Sequence, residues 1–162
     1  MILRLVVGVV LTAALLSASA PMLSVGAADA ADSSVERQLD ALGDRLTTMV
    51  ETNDPTRGPG ARHVTELRLP ERSLTSAAVT RLRLYGRSGL GMAAWRVGER
   101  RTSRTRLSTV PLRVGSSDED EDGGLILREP GPHRLVFDLR TRDGKTVLTV
   151  RRLGPDGGVR DA

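Results

Sequence analysis

His133-Arg134-Leu135-Val136-Phe137-Asp138-Leu139 and Thr146-Val147-Leu148-Thr149-Val150 flank Arg142-Asp143-Gly144-Lys145, and this stretch decides the fold. The two runs have the strand period of two. Leu135, Phe137 and Leu139 therefore fall on one face, and Val136 and Asp138 on the other. Asp-Gly is a favoured two-residue hairpin turn, because both central positions need a positive φ. An antiparallel hairpin is expected here.

The same texture continues upstream. His63–Leu69, Val79–Tyr85, Ala93–Val97, Val110–Val114 and Leu125–Leu127 read as further short strands, broken by Gly and Pro. Five to seven mostly antiparallel strands in so few residues predict a curved sheet or small sandwich. Arg68, Arg81, Arg83 and Arg96 sit among apolar residues in these segments. That alternation marks the wet side of a half-buried sheet. It also makes these four the candidates for a face toward an anionic partner, since guanidinium forks match carboxylate and phosphate.

Before the strands, Val35, Leu39, Leu42, Leu46 and Met49 recur at steps of 4, 3, 4 and 3. This is one stripe of a helix, with Glu36, Arg37, Asp40, Asp44 and Arg45 left for solvent. Ser33 and Glu36 have capping-box spacing, which predicts the helix start there. Asn53-Asp54-Pro55 and Gly58-Pro59-Gly60 predict its end. Two heptads are short for a coiled coil, so packing on the protein's own sheet is expected.

The chain opens with Met1-Ile2-Leu3-Arg4 and then carries no charge from Leu5 to Ala28. One positive residue before an apolar run marks a signal peptide or an N-terminal membrane anchor. The uncharged run is 24 residues long, and about 20 span the hydrocarbon core. Ala18-Ser19-Ala20 and Ala28-Asp29-Ala30 have the small-x-small form of cleavage sites. Arg4 should stay inside and send the rest out. The expected location is membrane-anchored facing outside, or secreted.

The expected organisation is α+β. Residues 1–30 form the leader or anchor, 31–54 the amphipathic helix, 55–62 a linker, 63–153 the β-rich domain and 154–162 a tail. The 162 residues hold no cysteine, which excludes disulfides and thiolate metal sites. Only Tyr85, Trp95 and Phe137 are aromatic, so the core must be built from Leu, Val, Ala and Met. Of 24 basic residues one is lysine, Lys145. Residues 1–56 carry a net −4, residues 57–114 a net +10 and residues 115–162 a net −2.

Few motifs carry chemistry. Asp118, Asp120 and Asp122, followed by Gly123 and then Glu129, fit the spacing of a calcium loop. The flanks read as strands rather than helices, and Pro130 blocks the helix that should follow. An acidic hairpin loop fits the same letters. His63 and His133 are far apart and lack neighbouring ligands. Gly86-Arg87-Ser88-Gly89-Leu90-Gly91 lacks the Lys-Ser/Thr of a phosphate loop and is expected to be a hairpin turn. No catalytic constellation and no cofactor site emerge. Nucleic acid is not expected, because single strands favour aromatic platforms and the leader directs the domain away from the cytoplasm.

The succession of apolar helix, amphipathic continuation and antiparallel sheet resembles type IV pilin-like proteins. That resemblance implies a first half-helix held in a membrane or filament core and a second packed on the sheet. No charged prepilin-type motif precedes the apolar run. The short leader, Pro59-Gly60-Ala61-Arg62, and Leu127-Arg128-Glu129-Pro130-Gly131-Pro132-His133-Arg134-Leu135 look like a small uncharacterised family of haloarchaeal exported proteins. Together these resemblances imply a non-enzymatic, membrane-associated accessory subunit of a surface or secretion assembly, with protein partners. The alternative is a secreted binding module that turns its arginine-rich face to an anionic surface partner.

Overall fold

The computed structural model of the chain describes residues 2–56, 60–73, 75–115 and 123–154. Within the helix, the side chains of residues 2–5 and 14–24 are outside that description. One helix, α1 (Ile2–Thr52), is followed by β1 (Arg62–Leu69), β2 (Val79–Arg87), β3 (Leu90–Val97) and β4 (Ser103–Ser108). Then come β5 (Leu112–Val114), β6 (Gly124–Leu127), β7 (Gly131–Arg142) and β8 (Lys145–Arg152).

The predicted hairpin is β7 and β8, in register from Leu135↔Arg152 to Arg142↔Lys145. Asp143 and Gly144 have φ of 52° and 73°, as the two-residue turn requires. Ser88 and Gly89, with φ of 53° and 78°, turn β2 into β3 in the same way. The Gly86–Gly91 segment is thus a hairpin.

The strands form two four-stranded sheets. The first has the order β1-β7-β8-β5 and the second β4-β3-β2-β6. All strand pairs are antiparallel except β5 with β8. The chain changes sheet after β1, β4, β5 and β6, which draws both sheets around one core. Leu67, Leu69, Leu135, Phe137, Leu139, Leu148 and Val150 come from the first sheet. Leu82, Leu84, Ala93, Trp95, Val97, Leu107, Leu125 and Leu127 come from the second.

Helix α1 completes that core. Val35, Leu39, Leu42, Leu46 and Met49 are all buried, and Ala28 and Ala31 extend the stripe. Each large side chain in it stabilises by roughly 1.5–3 kcal/mol. The helix lies against β4, β3 and β1. Gly43 faces β4 so closely that an added Cβ would sit 3.5 Å from the carbonyl oxygen of Leu107.

Three expectations are corrected. The eight strands exceed the predicted five to seven. The extra one is β4, whose sequence Ser-Arg-Thr-Arg-Leu-Ser offers a single apolar residue. It is held by its ladder to β3 and by the helix over it. The predicted helix start at Ser33 is also overturned, since α1 runs without a break from Ile2. Residue 32 belongs to the helix interior, and its carboxylate is turned to Trp95 and Ser103 of the second sheet. The hydrophobic and amphipathic segments are therefore one helix, not two.

Upstream of the packed region, Val6, Val7, Val9, Val10 and Leu11 are 49–63% exposed. Among the described residues, no helix is long and apolar enough to cross a membrane.

Candidate functional site: an arginine face on the second sheet

The strand period sorts the second sheet into two faces. Leu82, Leu84, Ala93, Trp95, Leu125 and Leu127 point to the core, so the alternate residues point outward. The outward set contains Arg81, Arg83 and Arg87 on β2, Arg96 on β3, and Arg104 and Arg106 on β4. Cross-strand register puts Arg81 opposite Arg96, and aligns Arg83, Ala94 and Arg104 in one row. Strands β2, β3, β4 and β6 contain no Asp or Glu. Six arginines thus share one surface without a carboxylate on any strand of their sheet.

The face is slightly hollow. A concavity of about 300 Å³ is lined by Arg81, Arg83, Tyr85, Arg87, Ala94, Arg96, Thr102 and Arg104. Arg83 lies over the Tyr85 ring at 5.0 Å from its centre, a cation–π contact that stiffens the guanidinium. It also covers Gly124, where any Cβ would meet the Arg83 side chain. Arg96 donates through Nη2 to the hydroxyl of Thr102 at 3.2 Å. The small side chain of Ala94 opens the floor between the arginines.

Of the four arginines singled out in the sequence, Arg81, Arg83 and Arg96 are brought together here. Arg68 is not. It stands on the outer face of the first sheet, at the β1 edge, where its backbone is engaged by Gln38 of α1. Arg87, Arg104 and Arg106 join the face without having been singled out. The last two were hidden because β4 lacks the apolar alternation that marks a strand.

The first sheet also turns arginines outward, but around a carboxylate. Asp138 is 1% exposed, with Arg62 Nε at 3.0 Å from Oδ1. Arg151 Nη2 is 3.5 Å and Arg140 Nη2 3.9 Å from Oδ2. This cluster ties β1, β7 and β8 together from outside and consumes part of its own charge.

Of the calcium candidates, Asp118, Asp120 and Asp122 lie outside the described residues. Glu129 is described and is paired with Arg152, at 2.9 Å. Among the described residues, no group of three or more His, Asp or Glu is placed to hold a metal ion. His133 is buried, with Nε2 at 2.6 Å from the carbonyl oxygen of Glu129. His63 is half-buried on the same inner face four residues along the β1–β7 ladder. A larger hollow of about 570 Å³ between the end of α1 and β1 mixes Asp44, Arg45, Arg62 and His63, so it presents no single sign of charge.

The fold and its basic face define a small α+β protein with a long N-terminal helix and a cationic sheet surface. The chain belongs to the DUF7311 family, a domain of unknown function, whose model matches residues 2–153. No curated protein and no solved structure matches the chain.

Proposed function

We propose that this chain is a non-enzymatic binding subunit, tethered at the outer face of a membrane by its N-terminal helix, within a surface or secretion assembly. Its arginine face holds the anionic partner. The observation that carries this reading is the six outward arginines on a sheet without a single acidic residue. Like charges gathered on one surface repel one another and are relieved by a partner of opposite sign.

The tether rests on α1. Its C-terminal half is a wall of the core, while Val6–Leu11 stand exposed beyond it. The packed region begins at Ala28, where the uncharged run of the sequence ends. The pairing of an exposed apolar stretch, Val6–Leu11, with a packed amphipathic half on one helix is also what supports the pilin-like resemblance. A chain released by cleavage would act by the same face as a secreted binding module.

Binding to immobilised polyaspartate tests the face. The full chain in detergent should be retained at low salt, and Arg81→Glu/Arg96→Glu/Arg104→Glu should pass through unretained. Equal retention of both proteins would refute the docking role. Intact mass of the protein from the native membrane fraction tests the tether. A mass that includes residues 5–28 supports it, and a shortened chain recovered only from the medium supports the secreted form.

A further inference from the structure

We infer that the partner of the arginine face is the acidic side of helix α1 in a second copy of this chain. The inference rests on the arginine face being a docking surface, and it names the occupant. Glu36, Asp40, Asp44 and Glu51 are exposed and recur at steps of 4, 4 and 7. At 100° per residue these positions stay within a narrow stripe, on the side of α1 turned away from Val35, Leu39, Leu42 and Leu46. Among the described residues none of the four carboxylates has an ion-pair partner.

On the sheet, Arg81, Arg87, Arg104 and Arg106 likewise have no ion-pair partner among the described residues. Among the described residues, these two sets of side chains of opposite sign are thus unpaired and do not meet within one molecule. They differ in direction: α1 packs on the inner side, against β4, β3 and β1, whereas the arginines point outward from the same sheet.

The dimensions agree. Four residues of helix rise about 6 Å, and two residues of strand advance about 6.8 Å. Glu36 to Glu51 spans about 22 Å along the helix, and Arg81 to Arg87 about 20 Å along the strand. The hollow over Ala94 receives the ridge of a helix. Because the two surfaces are different, the contact is head-to-tail, and each added copy leaves one face of each sign free for the next. Such a contact propagates unless its rotation closes a ring.

The test uses the full chain in detergent micelles, followed by sedimentation velocity at about 50 mM and about 500 mM salt, where screening differs severalfold. The expected result is self-association at low salt that disappears at high salt. Glu36→Arg/Asp40→Arg/Asp44→Arg alone and Arg81→Glu/Arg96→Glu/Arg104→Glu alone should each weaken association by about tenfold or more. A one-to-one mixture should restore it, because each reversed surface then meets its complement. Trp95 emission reports whether each variant is folded. Persistent self-association of either reversed variant, or a mixture that stays unassociated, would overturn the inference. If the arginine-face variant still self-associates but loses polyaspartate, the face docks an anion other than this chain. If it keeps polyaspartate, the docking role itself fails.

Discussion

The indole Nε1 of Trp95 donates to Oδ1 of Asp32 at 2.6 Å, joining the centre of the second sheet to the middle of α1. Trp95 is 3% exposed, so the indole N–H has no water to turn to. Ser103 of β4 donates to the same carboxylate oxygen at 3.4 Å. One side chain therefore fixes the register of the helix on two strands.

Asp32→Ala should cost about 1–3 kcal/mol, because it strands a buried donor. Trp95 is the only tryptophan, so its fluorescence during urea unfolding reads the loss directly. An unchanged urea midpoint would contradict the role of this bond.

Asp138→Asn should destabilise by about 1–3 kcal/mol, since it leaves Arg62, Arg140 and Arg151 facing one another without a counter-charge. Those arginine side chains are 51%, 42% and 20% exposed, so solvent moderates the effect. The deficit should narrow in added salt, which screens the remaining repulsion. Thermal melts at low and high salt check both the sign and the salt dependence.

Gly86→Ala should destabilise by roughly 1–3 kcal/mol through overpacking. An added Cβ there would collide with the carbonyl oxygen of Leu112, forcing β5 away from β2. At Gly89 nothing lies within 4 Å of such a Cβ, and only the φ of 78° resists alanine, by about 1 kcal/mol. Paired urea melts of the two variants should rank Gly86→Ala as the more damaging.

Gln38→Ala should cost about 1 kcal/mol and promote association through the β1 edge. Gln38 accepts from the backbone N–H of Arg68 at 2.9 Å and donates to its carbonyl at 3.0 Å. The side-chain amide thus occupies the edge as a neighbouring strand would. Freeing both groups exposes a template for strand addition. Light scattering during prolonged incubation should rise for the variant, in high salt as well as low.

Much of this architecture was legible in the chain. The Asp143-Gly144 turn, the alternation around Phe137 and the stripe from Val35 to Met49 are signals confined to a few residues, and they survive into the structure. β4 was not legible, because its place is decided by β3 and α1 rather than by its own Ser-Arg-Thr-Arg-Leu-Ser. The capping box at Ser33 misled for a related reason. It is a sound local signal, but a helix already propagating from Ile2 has no orphan donors left to cap there. At the candidate site, the alternation exposed Arg81, Arg83 and Arg96. It could not show that Arg68 belongs to the other sheet, since sheet membership is set by pairing between distant strands.

The sharing of one helix between core and apolar extension fixes an order of events. Of the two small-x-small sites, Ala28-Asp29-Ala30 lies within the packed zone: Ala28 and Ala31 are buried, Asp29 is paired with Arg100, and the carbonyl of Ala27 is bonded to the backbone of Ala77. A peptidase needs its substrate extended, so it can cut there only before the sandwich closes around the helix. Once folded, the domain shields that site, so a cut at Ala28-Asp29-Ala30 would have to precede folding, whereas one at Ala18-Ser19-Ala20, upstream of the packed region in the sequence, would not.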